Sequence, residues 1–451
     1  MWSIQPNHIH KIFQMNRTKI LQIPALTKRA KDAARAVSQG VHTPIHEVKE
    51  TTLTTLLDLP QFRVTQYSVE EWEQEQDVIH LFCDLTTDVA ICPDCKSVSS
   101  TIKQYQSRCI RDSDIWQKRT FIHFKSRRFE CQNCQTRFTE ELNGVRWRRR
   151  QTNRFERKIY ESCKEMSIKA TAERFGLSQS TVQEIFNIWG KTHQAKSSLN
   201  QVRALGIDEI SLKKKHKQYA LVISDLDRHT VLAVLPNRDQ ETLMTWVNKL
   251  PSQVRKGIEV VSIDMWRPYR SVIQKLLPQA QIVADRFHVM KQLNDQLSKA
   301  RRTIQRKADQ KTKEALKGCR WLIVLNRDAL SPEQTSLLLQ ILSVDSELTQ
   351  AYLLKEEFRT IFERIRQRDK AVRFLNAWTY KVQQTGNRYL LSFVKTLHNW
   401  WDEILNYFCE RITNGFVEGT NRAIRSLIWR AYGFRNFENF RLLILAKFAF
   451  P

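Results

Sequence analysis

The chain has 451 residues, which is too long for one ordinary hydrophobic core and predicts roughly two to four domains. Its 73 lysine and arginine residues outnumber 47 aspartate and glutamate residues, so the net charge is +26. Because the basic residues cluster, they favour a nucleic acid partner over a solvated basic surface without a partner. No run approaches the ~18 apolar residues of a membrane span, and the N-terminus lacks the pattern of a secretion signal. We therefore expect a cytoplasmic protein that has no membrane partner.

The N-terminal part of the chain is predicted to be a basic arm followed by a small β-rich module. Residues 1–50 are polar and basic, with a segment near residues 26–37 that is compatible with a short helix. The module covers residues 51–142, in which the apolar runs Phe62–Val69 and Val78–Cys83 predict strands.

Four of the nine cysteines form two Cys-x-x-Cys pairs, which are Cys92, Cys95, Cys131 and Cys134. Two such pairs in one small module are the ligand set of a tetrahedral structural zinc site. The segment between the pairs is predicted to hold a hairpin with strands at Trp116–Phe124 and Arg127–Glu130. Incidental thiols and a redox pair are the alternatives, but a redox pair does not need a second copy. We predict one structural zinc ion, since four thiolates leave no position open for catalysis.

Residues 143–200 are predicted to be a helix-turn-helix that follows a basic linker. Ser167–Phe175 predicts the first helix, Gly176 suits its end, and Ser178 suits the cap of the second helix. The second helix of this motif enters the major groove of DNA, so its outward polar residues are candidates for reading base edges. These candidates are Gln179, Ser180, Gln183 and Asn187, and the linker candidates for phosphate contacts are Arg146, Arg148, Arg149 and Arg150. An ordinary helical hairpin is the alternative.

Two strands in the C-terminal part of the chain are predicted to end on aspartates. The apolar run Val202–Ile207 ends on Asp208, and the β-rich run Ile258–Ile263 ends on Asp264. Neighbouring strands lie ~5 Å apart. Two acids at matching strand ends can therefore share a divalent metal ion, for which oxygen ligands are suited. The alternative is that each aspartate is a turn residue that caps a strand.

The elements around these aspartates predict an α/β catalytic domain over residues 201–451. Further strands are predicted at 219–224, 230–234 and 280–284. One helix is predicted at 240–250, and a second helix is predicted to end at residue 277. This order of strand, strand, strand, helix, strand, helix and strand is typical of a ribonuclease-H-like sheet. Residues from about 290 to 413 are helix-forming almost throughout and are predicted to be a helical insertion. The overall fold class is a multidomain α+β protein.

A second group of polar residues follows the insertion. Asn414 is suited to cap a helix, on which Glu418, Asn421, Arg422 and Arg425 recur at three- and four-residue spacing along one side. A carboxylate and two arginines on one face can meet a metal ion and phosphates together. The alternative is a surface ion-pair face.

From about residue 53 onward the chain resembles transposases of the ISL-three family of bacterial insertion sequences, which belong to the DDE class. The motifs that carry the resemblance are Cys92-Pro-Asp-Cys95, Cys131-Gln-Asn-Cys134, Gly206-Ile-Asp-Glu209, Asp264-Met-Trp-Arg-Pro-Tyr269, Asp285-Arg-Phe-His288-Val289, Asn414-Gly-Phe-Val-Glu-Gly-Thr-Asn421 and Arg430-Ala-Tyr-Gly-Phe-Arg-Asn-Phe-Glu-Asn-Phe440. The resemblance implies a zinc ribbon, a helix-turn-helix and a ribonuclease-H-like catalytic domain. It also implies a catalytic triad of Asp208, Asp264 and Glu418.

The resemblance leads to two hypotheses of different kinds. The first is an enzyme that binds the terminal inverted repeats of its insertion sequence, cuts there and joins the freed 3′ hydroxyls to target DNA. We expect the triad to hold two magnesium or manganese ions, Arg422 and Arg425 to clamp phosphates, and Asp285 and His288 to assist. Such an enzyme is expected to act as a homo-oligomer assembled on double-stranded DNA, at the nucleoid of a bacterial cytoplasm. The second hypothesis is a DNA-binding regulator or inactive remnant that binds the ends without cutting.

Overall fold

A computed structural model describes residues 46–47, 52–71, 77–196, 201–213, 218–410, 415–431 and 433–449. The chain forms two compact units, with the boundary between Lys191 and Thr192. The predicted basic arm, including the helix near residues 26–37, falls outside the described residues except at positions 46–47. Among the helices that are described, none combines the length and the apolar character needed to span a bilayer.

The first unit is built on a sheet of six strands. The strands of this unit are β1 (His46–Glu47), β2 (Phe62–Glu70), β3 (Val78–Leu85), β4 (Ala90–Ile91), β5 (Val98–Ser99), β6 (Ile102–Ile115), β7 (Lys118–Glu130) and β8 (Arg137–Thr139). The sheet has the order β1-β2-β3-β7-β6, with β8 also paired to β7, whereas β4 and β5 form a separate pair. The pairing of β3 with β7 is parallel, and the other four pairings in the sheet are antiparallel.

A two-residue turn joins the long strands β6 and β7. Trp116 and Gln117 have φ angles of 47° and 65°, and Ile115 pairs with Lys118 across the turn. Positive φ at both central residues defines a type I′ turn, whose twist matches that of the flanking strands. The prediction of a strand beginning at Trp116 was therefore wrong, because β7 begins at Lys118 and continues unbroken to Glu130.

The helices of the first unit include the predicted helix-turn-helix. They are α1 (Thr52–Leu57), α2 (Asn153–Glu165), α3 (Ile168–Phe175) and α4 (Gln179–Lys196), of which α4 extends past the unit boundary. Ser167 caps α3, and Gly176 ends that helix in the left-handed conformation at φ 64°. The Ser178 hydroxyl accepts the backbone N–H of Thr181 at 3.1 Å and caps α4. The predicted caps are therefore confirmed, and Val182, Ile185 and Phe186 form the buried face of α4.

The second unit is built on a sheet of five strands. They are β9 (Ala204–Lys213), β10 (Gln218–Asp225), β11 (Thr230–Leu235), β12 (Val260–Ile263) and β13 (Gln281–Ala284). Their spatial order is β11-β10-β9-β12-β13. β10 is antiparallel to both β11 and β9, whereas β12 is parallel to both β9 and β13. Parallel neighbours need crossover connections, which helices supply here.

The remaining helices follow β11 in nearly the predicted order. Their bounds are α5 (Gln240–Lys249), α6 (Ser252–Gly257), α7 (Arg267–Leu276), α8 (Arg286–Lys307), α9 (Gln310–Ala315), α10 (Arg320–Val324), α11 (Pro332–Leu342), α12 (Ser346–Arg364), α13 (Arg368–Thr385), α14 (Arg388–Asn399), α15 (Trp401–Glu410), α16 (Gly415–Arg430) and α17 (Phe437–Phe448). The short helix α6 was not predicted. The described part of the segment predicted as a helical insertion is helical almost throughout, with one 3-10 turn at Arg327–Ala329.

Two hydrophobic clusters fix the helices against this sheet. The larger cluster joins apolar residues of the sheet, such as Ile263, to α8 and to the helices that follow it. A smaller cluster joins β9, β10 and β11 to α16 and α17 through residues such as Phe440. α16 contributes Val417 to the larger cluster and Ile424 to the smaller one. This double anchoring holds α16 against the sheet.

Candidate active site

Three neighbouring strands of the second unit bring three aspartates to one edge of the sheet. In the parallel pairings, Ile207 is opposite Ile263, and Ile263 is opposite Ala284. The residues that directly follow are Asp208, Asp264 and Asp285. Because Ile207, Ile263 and Ala284 are paired across the sheet, the three aspartates that follow them belong to one row.

The structure corrects one feature of the predicted arrangement. Asp208 does not end its strand, because β9 continues to Lys213 in antiparallel pairing with β10. What ends at Ile207 is the parallel pairing with β12. The two aspartates therefore lie at the same level of the sheet, although Asp208 is in the middle of its own strand.

Asp208, Asp264 and His288 form a group that can hold a metal ion. One ligand atom from each of the three lies within 4.8 Å of the others. The Nε2 atom of His288 is 3.8 Å from the Oδ2 atom of Asp264, and each of these two side chains is about one-fifth exposed, at 19% and 20%. Within the described part of the chain, the Asp264 Oδ1 atom is buried without a hydrogen-bond partner. A buried carboxylate oxygen without a donor suits a cation, so the side chains fit a divalent ion.

The Asp208 carboxylate is held by two donors. Its Oδ1 atom accepts the backbone N–H of Glu209 at 2.7 Å, and its Oδ2 atom accepts the side-chain amide of Asn421 at 2.6 Å. Burial nevertheless raises the pKa of Asp208, against the lowering effect of the positive charge on His288. The site therefore favours a cation that compensates for the lost hydration.

The pKa values of the neighbouring groups are also shifted. Burial raises the pKa of Asp264 to about 6, and the negative charges of Asp208, Glu209 and Asp285 act in the same direction. Burial lowers the pKa of His288, but the hydrogen bond to Asp285 and the nearby carboxylates outweigh burial, so the net pKa is raised. Carboxylates that raise each other's pKa are more frequent at functional sites than elsewhere.

Helix α16 carries the remaining residues that were predicted for the catalytic site. Asn421 is buried at 1% exposure and contacts Asp208, whereas Glu418, Arg422 and Arg425 are exposed. All four lie within an arc of about 100° on this helix, as predicted, but the Asn421 edge of that side is buried and the remainder is exposed. Glu418 lies outside the group of Asp208, Asp264 and His288, and its Oε1 atom accepts a hydrogen bond from Arg422 at 3.1 Å. The predicted cap Asn414 lies outside the described residues.

A glycine allows α16 to lie close to β9. A Cβ atom on Gly206 would be 2.7 Å from Leu226 Cδ2 and 3.0 Å from Val417 Cγ2. Real Cβ atoms do not approach other heavy atoms so closely, so only glycine fits without a shift of its neighbours. Gly206 precedes Asp208 by two residues, and Val417 precedes Asn421 by one helical turn. The missing side chain thus leaves room for Leu226 and Val417 beside the contact between Asn421 and Asp208.

The four predicted zinc ligands come together in the first unit. All four sulfur atoms lie within 4.8 Å of one another, with Cys92 to Cys134 at 3.6 Å and Cys95 to Cys131 at 3.4 Å. Tetrahedral Zn–S bonds of about 2.3 Å require similar separations between the sulfur atoms. Hydrogen bonds from Ser97 lower the pKa of Cys95 to about 5, and those from Thr136 lower the pKa of Cys134. A lowered pKa at these two thiols favours the thiolate, which is the form that binds metal. Backbone hydrogen bonds lower the pKa of Cys92, but burial and the neighbouring thiols of Cys134 and Cys95 outweigh them and raise it to about 11.

The two cysteine pairs have the same backbone geometry. Lys96 and Gln135, which follow the second cysteine of each pair, both have φ 61°. The backbone N–H of each donates to the carbonyl of the first cysteine, at 3.0 Å and 2.9 Å. This equivalence is expected of two zinc knuckles that contribute equally to one tetrahedral site.

The predicted DNA-contacting residues of the first unit have different environments. Gln179 and Ser180 are exposed, whereas Gln183 and Asn187 are half-buried and joined by a hydrogen bond of 2.9 Å. All four positions on α4 are therefore polar, but Gln179 and Ser180 are more accessible than Gln183 and Asn187.

The four linker arginines also differ. Arg146 and Arg149 both bind the buried carboxylate of Glu156, so they fasten the linker to α2. Arg148 and Arg150 are exposed, and the Arg148 guanidinium lies 4.1 Å from the ring centroid of Trp147. Their exposure makes Arg148 and Arg150 the stronger candidates for phosphate contacts.

Comparison with known proteins assigns these parts to one class. A zinc-finger model of the transposases of IS204, IS1001, IS1096 and IS1165 matches residues 88–134, and a model for the helix-turn-helix domain of transposase family ISL3 matches residues 140–188. The ISL3 model for the DDE domain, described as a transposase, matches residues 205–444. These domains are those of a DNA-binding transposase, and the chain belongs to the ISL3 family.

Two relatives illustrate the extent of the similarity. The chain is 28% identical over 389 residues to the transposase for insertion sequence element IS1001 of Bordetella parapertussis, covering 85% of this chain and 95% of that protein. It is 26% identical over 291 residues to the transposase for insertion sequence element IS1557 of Mycobacterium tuberculosis, covering 59% of this chain and 65% of that protein. The predicted zinc ribbon, helix-turn-helix and family resemblance are thereby confirmed.

Sequence reasoning did not assign a role to Asn421 and gave His288 only an assisting one. Asn421 was noted as part of a helical stripe, three residues after Glu418, but its contact is with Asp208, 213 residues away in sequence. For His288, the available signal was its position three residues after a strand-terminal aspartate. Gly206 gave no usable signal, because a single glycine in a strand pattern does not identify its neighbour.

Proposed function

We propose that this protein is a DNA transposase that binds the terminal inverted repeats of its insertion sequence and catalyses metal-dependent strand cleavage and strand transfer. The observation that carries the proposal is the meeting of Asp208 and Asp264 at one sheet edge, within a group able to hold a metal ion. The strand order of the sheet supports the ribonuclease-H-like interpretation.

Asp208 and Asp264 hold the divalent ions, for which we propose magnesium or manganese. When bound, these ions supply the positive charge that activates the attacking hydroxyl and stabilises the leaving oxygen. Asn421 keeps one Asp208 oxygen in place, so the carboxylate does not have to be reoriented when the substrate arrives. The Oδ1 atom of Asp264, which has no hydrogen-bond partner in the described part of the chain, is available to a cation.

Glu418 is the proposed third acid, and its role rests on the family resemblance. It lies one helical turn before Asn421, and its carboxylate is bonded to Arg422. Rotation of the Glu418 side chain away from Arg422 is the change that we propose to accompany binding of substrate and metal. Arg422 and Arg425, both exposed, then contact the phosphates of the DNA strand.

The first unit supplies recognition of the element ends. Helix α4 presents Gln179, Ser180, Gln183 and Asn187 to the major groove, and Arg148 and Arg150 contact the backbone. The zinc ribbon stabilises this unit and takes no part in the chemistry. Cleavage at both ends of an element is served best by two or more copies of the chain on the DNA, so we propose a homo-oligomeric assembly.

The decisive experiment is cleavage of a supercoiled plasmid that carries the flanking DNA of the gene on both sides. The proposal expects nicks at the element ends in magnesium, followed by joining of 3′ hydroxyls to target DNA. A second candidate, a protein that binds the ends without cutting, is favoured by the exposed position of Glu418 in its ion pair with Arg422. Specific binding without any nick in magnesium or manganese would select this second candidate.

A further inference from the structure

His288 lies where a metal ion held by Asp208 and Asp264 would meet a nitrogen ligand. Its Nε2 atom is 3.8 Å from the Oδ2 atom of Asp264, which is too long for a hydrogen bond but suits two ligands of one ion. The ligand atoms of Asp208, Asp264 and His288 all lie within 4.8 Å of one another. A neutral imidazole is among the commonest metal ligands in proteins.

The second nitrogen of the same ring is bound to a buried carboxylate. His288 Nδ1 lies 2.9 Å from Asp285 Oδ2, and Asp285 is only 6% exposed. The other oxygen of Asp285 accepts the backbone N–H of Phe287 at 3.1 Å, which caps helix α8. Asp285 is therefore fixed in position by the start of the helix. In the neutral ring, an N–H donated from Nδ1 to this carboxylate leaves the Nε2 lone pair for a metal ion, 3.8 Å from Asp264 Oδ2.

This arrangement is the one that metal-binding histidines adopt. Such residues nearly always donate their second ring N–H to a carboxylate or carbonyl, which fixes the tautomer and raises the basicity of the ligating nitrogen. An ordinary buried ion pair is the alternative. In such a pair, a protonated Nε2 would donate to Asp264, yet the separation is 3.8 Å and the Asp264 Oδ1 atom has no hydrogen-bond partner among the described residues.

We propose that His288 is a protein ligand of the divalent ion held by Asp208 and Asp264, and that Asp285 is a positioning residue for its imidazole. The identity of the ion as magnesium or manganese rests on the proposed function, whereas the ligand set rests on the geometry. One nitrogen ligand makes the site more favourable to manganese than to magnesium or calcium, because imidazole suits transition metals better than hard cations.

The proposal is tested by manganese binding to the full-length, zinc-loaded protein, followed by electron paramagnetic resonance. The wild-type protein should show a nitrogen hyperfine coupling at bound manganese in pulsed spectra, and the coupling should change when histidine is labelled with nitrogen-15. His288→Gln should abolish the coupling and weaken manganese binding by roughly 10-fold or more. Asp285→Asn should keep the coupling and weaken binding by a similar factor, since it perturbs only the orienting contact.

The matched control is His398→Gln, because His398 lies on α14, stacks on Trp401 and does not belong to the group of Asp208, Asp264 and His288. This variant should keep both the coupling and the affinity. Manganese bound in an Asp208- and Asp264-dependent manner, but without nitrogen coupling and unaffected by His288→Gln, would overturn the inference and leave the proposed function standing. Absence of any manganese binding that depends on Asp208 and Asp264 would overturn both.

Discussion

The side-chain amide of Asn421 donates a hydrogen bond of 2.6 Å to the carboxylate of Asp208, across 213 residues of sequence. This bond ties helix α16 to the middle of strand β9, at the level where three aspartates line one edge of the sheet. Removal of the Asp208 carboxylate leaves the buried amide of Asn421 without its acceptor, which costs about 1–3 kcal/mol. Substitutions that disturb the bond between Asn421 and Asp208 therefore test the site, whereas substitutions remote from it test only the fold.

We expect Asp208→Asn, Asp264→Asn and Glu418→Gln each to abolish strand cleavage and joining while leaving binding to the element ends intact. An amide keeps the shape of the side chain but loses the charge that holds a divalent ion. The measurement is cleavage of labelled end DNA in magnesium beside a gel-shift assay. Glu259→Gln is the control, since Glu259 lies at the opposite end of β12 and is 66% exposed. Wild-type cleavage by Glu418→Gln would remove Glu418 from the triad.

Gly206→Ala is expected to lower cleavage at least 10-fold, because the new Cβ atom pushes on Leu226 and Val417 and moves α16 away from Asp208. Gly419→Ala is the control on the same helix, since its added Cβ would meet no heavy atom of the described residues within 4 Å beyond its chain neighbours and the backbone of α16. Gly419→Ala should raise the free energy of unfolding by up to about 1 kcal/mol, because alanine has the higher helix propensity. Equal cleavage rates for both variants would contradict the proposed role of the close approach.

Replacement of Cys131 by Ser is expected to release the structural zinc and to lower the melting temperature of the first unit. Three remaining thiolates bind the ion more weakly, and metal binding is coupled to folding in small zinc modules. Elemental analysis should fall from about one equivalent of zinc per chain in the wild type to well below half. Cys409→Ser, at an exposed thiol outside the group, should leave the zinc content unchanged. Less than half an equivalent in folded wild-type protein would refute the site.

We expect residues of α4 to read the bases and residues of the linker to contact the phosphates. Gln183→Ala or Asn187→Ala should reduce discrimination between element ends and unrelated DNA by ~1–3 kcal/mol for each lost base contact. Arg148→Ala should weaken binding to all DNA about equally and lower the salt dependence, because Arg148 is exposed and the proposed phosphate contact does not depend on the base sequence. Fluorescence anisotropy at several salt concentrations measures both effects. A change in base preference caused by Arg148→Ala alone would reverse these roles.

Acid is expected to destabilise the first unit through a histidine pair. His80 Nδ1 and His123 Nε2 are 2.8 Å apart, with Glu70 and the Cys109 thiol beside them. Burial and the nearby His80 lower the pKa of His123 to about 4. A folded-state pKa below the ordinary value of about 6.5 means that the stability is complete above pH 6.5 and is lost as the pH falls toward 4.

The size of this effect is on the order of 3 kcal/mol over that range. Urea unfolding at pH 7.5, 6, 5 and 4.5 measures it in the wild type and in His123→Gln. The variant should show a shallower loss of stability with acid, because it has one less buried group to protonate. A slope identical to that of the wild type would assign the acid sensitivity to other groups.

Local patterns in the sequence were sufficient for much of this architecture. The spacing of the cysteine pairs predicted the zinc knuckles, and Gly176 and Ser178 predicted the turn of the helix-turn-helix. The apolar runs predicted the strands of the second sheet. Each of these depends on contacts within a short stretch of chain, where propensity and capping act directly. The two-residue turn at Trp116 was missed because its residues lack the glycine or asparagine that usually indicates positive φ.

The residues that form the site were harder to predict from the sequence. Asp208 and Asp264 were predicted from strand patterns, but the continuation of β9 past Asp208 depends on pairing with β10, which single-strand patterns do not show. Helical spacing placed Glu418 and Asn421 on one side, whereas packing of Val417 and Ile424 buries Asn421 and leaves Glu418 exposed. Tertiary contacts decide which side of a helix meets the sheet. The spacing of Glu418 and Asn421 alone could therefore not show which of them is buried.

Helix α16 presents Asn421 to Asp208 and, one residue further on, Arg422 to the solvent. A phosphate bound by Arg422 and a metal ion bound by Asp208 would therefore act on the same rigid element. Coupling between two ligands is reciprocal, so DNA that tightens the binding of the ion is itself held more tightly once the ion is present, by the same factor. With such coupling, full metal affinity would develop only on a correctly seated strand, and the free protein would be a poor nuclease toward the rest of the chromosome.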